Sequence, residues 1–144
     1  VSVPTRGAVI RYSYLWADES AVGAEEGRKD RPSLVLALAV RKEDGLTEIL
    51  VLAVTHSPPR TETDGVLLSP DIKRHLGLDD APSWIVTTEA NFFVWPGPDL
   101  RPIPGRKPAT VVYGHVPDGL LTRVARSYLN NRQRQRNRMV RRTE

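Results

Sequence analysis

Two strand ends carry the residues best suited to chemistry. Arg31-Pro32 stands at the mouth of the wholly apolar run of residues 34–40, and a second apolar run ends on Thr55, His56 and Ser57. A guanidinium is a planar fork of donors that matches two phosphate oxygens. Pro32 fixes its own φ and restricts the residue before it to extended backbone, so Arg31 is aimed from a stiff strand end. A threonine hydroxyl can donate to a phosphate oxygen, and an imidazole exchanges protons near neutral pH. If the two ends meet, Arg31 and Thr55 hold one phosphate. The plainer alternatives are an ion pair of Arg31 with Asp30 or another carboxylate, a Thr55 hydroxyl bonded to local backbone, and a surface histidine in a Pro-rich turn. His75 and His115 have no metal-ligand spacing with each other or with an acid cluster.

These residues need elements to position them. Residues 8–14 read as a first strand and residues 16–30 as a polar loop. The run 34–40 suits a strand buried on both faces. Glu43-Asp44-Gly45 marks a turn, after which residues 48–55 return as a buried partner. Ser69, Pro70 and Gly77 mark a short helix, as N-cap, first helical position and left-handed C-terminal residue. Residues 84–95 read as extended, residues 96–105 as a stiff Pro-rich loop, and residues 110–113 as a last short strand. From Asp118 the period becomes helical, with Leu120, Leu121, Val124, Tyr128 and Leu129 on one stripe. The order predicts a mainly β (α+β) domain: a small, strongly curved antiparallel sheet, barrel-like, with a short helix and a C-terminal helix packed on it.

The 144 residues suffice for one domain with a real core. With no cysteine, disulfides, thiolate zinc sites and cysteine nucleophiles are excluded. No apolar stretch is long enough for a membrane span, and the first residues lack the order of a signal peptide, so a cytoplasmic protein is expected. The net charge is +4, but residues 123–144 hold eight arginines and one acid, leaving −3 on the first 122 residues. Residues 1–129 are expected to form the domain, and residues 130–144 an Arg-rich extension with little to bury, available to nucleic acid.

The motifs, in order, resemble the PemK/MazF family of toxin endoribonucleases from type II toxin–antitoxin pairs. Arg6-Gly7-Ala8-Val9-Ile10 resembles the opening strand of that family. Gly23, Glu25, Arg31 and Pro32 resemble its Gly-x-Glu…Arg-Pro segment. Thr55 matches the strand that ends in Thr-Ser, and Glu89 the acidic residue of the next strand. The likeness spans residues 7–129. It implies an SH3-like PemK/MazF-type barrel and a homodimer. It also implies metal-independent, cofactor-free cleavage of single-stranded RNA by 2′-hydroxyl attack, giving a cyclic phosphate and a 5′-hydroxyl. An antitoxin protein would occupy the RNA groove.

Carried onto this chain, the resemblance implies Arg31, Thr55, Glu89 and His56 as catalytic residues, although His56 stands where the family usually has Ser. Trp16, Arg28, Lys29, Ser57 and Asn91 are the expected substrate contacts, with Trp16 as a stacking face and Arg28 and Lys29 on phosphates. Thr87 stands where some members carry Arg, so a second cation is missing. Trp95 suits core or interface. Two alternatives remain beside the ribonuclease. One is a non-catalytic binding module on the same barrel, as in relatives of this toxin fold that poison DNA gyrase. The other is a nucleic-acid binder driven by the arginine tail.

Overall fold

The computed structural model describes residues 2–21, 30–134 and 137–142. The elements are β1 (Ala8–Tyr12), α1 (Ala17–Ala21), β2 (Arg31–Val40), β3 (Thr47–Thr55), β4 (Gly65–Leu68), α2 (Pro70–Leu76), β5 (Ser83–Val86), β6 (Glu89–Val94), β7 (Val112–His115), α3 (Asp118–Gln133) and β8 (Arg138–Arg141). The eight strands form one curled sheet in the order β4-β5-β3-β2-β1-β7, while β6 pairs with β3 and β8. All of these pairings are antiparallel except β6–β8.

β3 produces the curl. Its first half, from Glu48 to Val51, pairs with β6, and its last residues, Val54 and Thr55, pair with β5. One strand thus serves two partners on the same edge and must bend between them. On its other edge the β2 register shifts between Val35 and Ala37, the signature of a bulge, which adds local twist.

Both faces of the sheet bury apolar clusters, but the run of residues 34–40, expected to be buried throughout, is buried only at Leu34, Val35 and Leu36, while Ala37, Ala39 and Val40 are exposed. One face buries Val9, Leu34, Leu52, Ile85, Val124 and Tyr128 beneath α2 and α3. The other buries Ile10, Tyr12, Val35, Val51, Phe93 and Trp95, with the Tyr12 and Phe93 rings stacked at 4.6 Å. Neighbouring residues such as Val9 and Ile10 enter opposite clusters, as the period of two demands. Trp95 is therefore core.

The short helix is built as its sequence predicts. The Ser69 hydroxyl accepts from the Ile72 amide at 3.3 Å, Pro70 opens α2, and Gly77 closes it at φ 72°.

The described residues beyond Leu129, 130–134 and 137–142, pack on the domain instead of extending from it. α3 runs to Gln133, and Asn131 is buried, donating to the Thr63 and Thr87 carbonyls. β8 joins β6 as a parallel strand that no periodicity announces. Val140 packs with Leu15 and Ala17. Arg142 is buried, pairs with Asp99 at 2.9 Å, and donates to Tyr12 Oη, the Ser13 carbonyl and Asn91 Oδ1. Arg138 pairs with Asp18 at 2.6 Å and Arg141 with Glu48 at 3.1 Å. Each of these three arginines is thus paired with a carboxylate, Arg142 in the interior and Arg138 and Arg141 at the surface. Among the described residues, no helix is long and apolar enough to cross a membrane.

Candidate functional site: a cleft at the heads of β2 and β3

The two strand ends do meet. Ser33 pairs with Ala53, and continuing that antiparallel register by two residues sets Arg31 opposite Thr55. On the far side Arg31 pairs with Tyr12 of β1, and Thr55 pairs with Trp84 of β5. Arg31, Thr55, His56 and Ser57 all line one cavity of about 860 Å³, with Trp16 and Trp84 on its walls.

Arg31 is half-buried and makes no ion pair among the described residues. Asp30 is not its partner, because that carboxylate pairs with Arg11 at 3.5 Å and Arg101 at 3.6 Å. The Arg31 guanidinium lies 4.8 Å from the Trp16 ring centroid, and its Nε is buried without a hydrogen-bond acceptor. Burial pulls its pKa below the ordinary arginine value, offset in part by the negative charge of Glu19. A guanidinium stays protonated regardless, so the burial cost is carried by the fold.

Two further carboxylates of the cleft are matched, whereas Arg60, which also lines it and is exposed, makes no ion pair among the described residues. Asp18 pairs with Arg138, and Asp79 accepts from Lys73 Nζ at 2.6 Å. Lys73 is buried on α2 and also donates to Ser83 Oγ at 2.7 Å and to the Ala81 carbonyl. Asp79 Oδ2 lies 3.0 Å from His56 Nε2. The Lys73 hydrogen bond, reinforced by that of His56, holds Asp79 below the usual carboxylate range. An ionised carboxylate only accepts, so Nε2 carries the proton and Nδ1 of the neutral ring carries the lone pair. Lys73, Asp79 and His56 thus form a chain that fixes the tautomer of a half-exposed imidazole at the cleft wall.

Thr55 Oγ1 accepts from the Ser57 amide at 3.2 Å, a local turn that leaves its own proton free to donate outward. The hydroxyl is thus bonded locally and also lines the cleft.

Glu89 and Asn91 lie outside the lining. Glu89 accepts from Tyr14 Oη at 3.2 Å and the Ala17 amide at 2.9 Å, and burial raises its pKa above the ordinary value. Asn91 has no exposed surface. Its amide donates to the Leu15 carbonyl and accepts from the Leu15 amide and Arg142, which ties the chain after β1 to the C-terminal strand. Its place is in the core. Arg28 and Lys29 fall outside the described residues. Thr87 is fully buried and bonded to Ser127 Oγ at 2.8 Å. His115 bonds Thr5, and His75 is exposed on α2, both away from the cleft.

Three contributors were not found from the sequence: Lys73, Asp79 and Arg60. Lys73 sits in the last turn of a correctly placed helix, and Asp79 follows the Gly77 cap. Nothing in their spacing links them to His56, because docking of α2 on the sheet creates the contact. Among the described residues no three His, Asp or Glu side chains gather as a metal site. Compared with known protein families, curated proteins and solved structures, the chain has no match.

Proposed function

We propose that the protein is a metal-independent endoribonuclease of the PemK/MazF toxin type, cleaving single-stranded RNA in this cleft. One observation carries the reading. Arg31 is a half-buried cation without a carboxylate partner among the described residues, in a cleft whose Asp18, Asp30 and Asp79 are each paired with a cation. A fixed, partly desolvated guanidinium is what a pentacoordinate phosphate needs.

In this reading Arg31 and the Thr55 hydroxyl take the non-bridging oxygens, and Trp16 offers a face to a flanking base. His56 Nδ1 takes the 2′-hydroxyl proton as the 2′-oxygen bonds phosphorus. The bond to the 5′-oxygen breaks, and the imidazolium, stabilised by Asp79, returns the proton to that leaving oxygen. The products are a cyclic phosphate and a 5′-hydroxyl. The SH3-like barrel type, the homodimer, the antitoxin partner and the cytoplasmic setting belong to the same proposal and rest on the sequence resemblance.

The test is incubation of purified protein with a long single-stranded RNA in EDTA, beside Arg31→Ala and His56→Ala. Wild type should cut and leave the two named ends, and each variant should lose at least about 100-fold in rate, the usual effect of removing a charge-stabilising or acid–base group. Equal cutting by Arg31→Ala would refute the mechanism. No cutting by folded wild type would favour a non-catalytic binding module.

A further inference from the structure

A second concavity lies between α3 and β4. Its volume is about 390 Å³, and Arg123, Arg126, Asn130 and Arg134 line one side of it. Their spacing of three, four and four residues puts the first three on a single stripe of the helix, with Arg134, the residue that caps its C-terminus, next along the same line. The stripe spans about 16 Å of helical rise. All three arginines are exposed, and none makes an ion pair or a side-chain hydrogen bond among the described residues. This separates them from Arg138, Arg141 and Arg142, each of which pairs with a carboxylate. Glu62 is the one acid on the opposite wall, and Leu67, about half exposed, supplies an apolar floor.

The groove and the cleft adjoin at one residue. Gly65 at the start of β4 lines both. Thr88 lines the cleft, while its neighbour Thr87 is bonded to Ser127 and Asn131 on the groove side. A strand leaving the cleft past Asp64 and Gly65 would reach the groove that the arginine stripe lines.

We infer that the α3 groove binds the sugar–phosphate backbone of single-stranded RNA extending out of the cleft, an inference that rests on the ribonuclease reading. Three unpaired guanidinium groups along one line match a line of phosphates and do not read bases. The groove thus adds length-dependent affinity without sequence preference.

The test uses fluorescence anisotropy with 2′-O-methyl oligouridylates, which bind but cannot be cut because the attacking hydroxyl is blocked. A 20-mer and a 4-mer are titrated with wild type and with Arg123→Ala/Arg126→Ala/Arg134→Ala between 50 and 200 mM salt. Alanine is the best helix former, and the sites are exposed, so the variant should fold, which its melting curve checks. For single strands each phosphate contact contributes about −0.7 to the slope of log K against log salt. The variant slope on the 20-mer should therefore be shallower by about 2. Over this salt range wild type should lose about 20-fold more affinity than the variant. The 4-mer, too short to span both sites, should bind the two proteins alike. An unchanged slope and affinity on the 20-mer would overturn the inference, and would be the result if the stripe serves an acidic protein instead. Failure of wild type to bind the 20-mer would overturn it as well. A slope loss in the variant, together with no cleavage of ordinary RNA by wild type, would keep the groove and discard the ribonuclease reading.

Discussion

Arg31→Met should abolish cleavage and, at the same time, make the protein more stable. Methionine keeps the unbranched stem that packs at the head of β2 and removes the charge. The Arg31 Nε is buried without an acceptor. Leaving such a donor unsatisfied costs roughly 1–3 kcal/mol. The guanidinium recovers part of this through its position 4.8 Å from the Trp16 ring. That contact contributes about 0.5–1 kcal/mol at a partly exposed site. The side chain is only half-buried, so the lower half of the first range applies, and the net gain on substitution is about 1 kcal/mol. For a domain of this size that raises the melting temperature by about 2–4 °C. Urea unfolding of both proteins in one buffer, with cleavage assayed on the same samples, measures both effects. A loss of more than about 1 kcal/mol would show that Arg31 anchors the fold, and the case for an oxyanion site would collapse.

Arg142→Ala should act with the opposite sign. It takes the buried cation away from Asp99 and removes one donor each from Tyr12 Oη, the Ser13 carbonyl and Asn91 Oδ1. Breaking a buried pair from one side costs about 3–5 kcal/mol, readable in a urea melt, and a change below about 1 kcal/mol would mean that the C-terminal strand does not hold the sheet. Glu89→Gln should reveal a pH dependence. Burial raises the Glu89 pKa, so the carboxyl stays neutral without cost below its ordinary value of 4.5, and wild-type stability falls as pH rises through the raised value. The difference in unfolding free energy between variant and wild type should be flat at low pH and then move in favour of Gln. A shift toward wild type with rising pH would contradict the sign.

By itself the sequence determined the local structures. The run of residues 34–40 was legible as a strand, but its burial was not: Leu34, Val35 and Leu36 are buried, whereas Val40 at its far end is 69% exposed, because tertiary packing decides which part of a strand is covered. Ser69, Pro70 and Gly77 delimit α2 because capping is a matter of a few adjacent backbone groups. The stripe from Leu120 to Tyr128 identifies α3. Arg31 and Thr55 were legible as strand-end residues, and their meeting follows from the hairpin register. The sequence did not announce α1, β4 or the separation of β5 from β6, which are short and lack a full period. Nor did it announce β8. An arginine-rich segment reads as solvated unless a buried acceptor set awaits it, and Asp99, Tyr12, Ser13 and Asn91 come together only when the sheet curls. The tertiary structure also decided the tautomer of His56 and the isolation of Arg31. Each is set by which distant charges reach the cleft: Lys73 and Asp79 arrive with α2, while Arg11 and Arg101 draw Asp30 away.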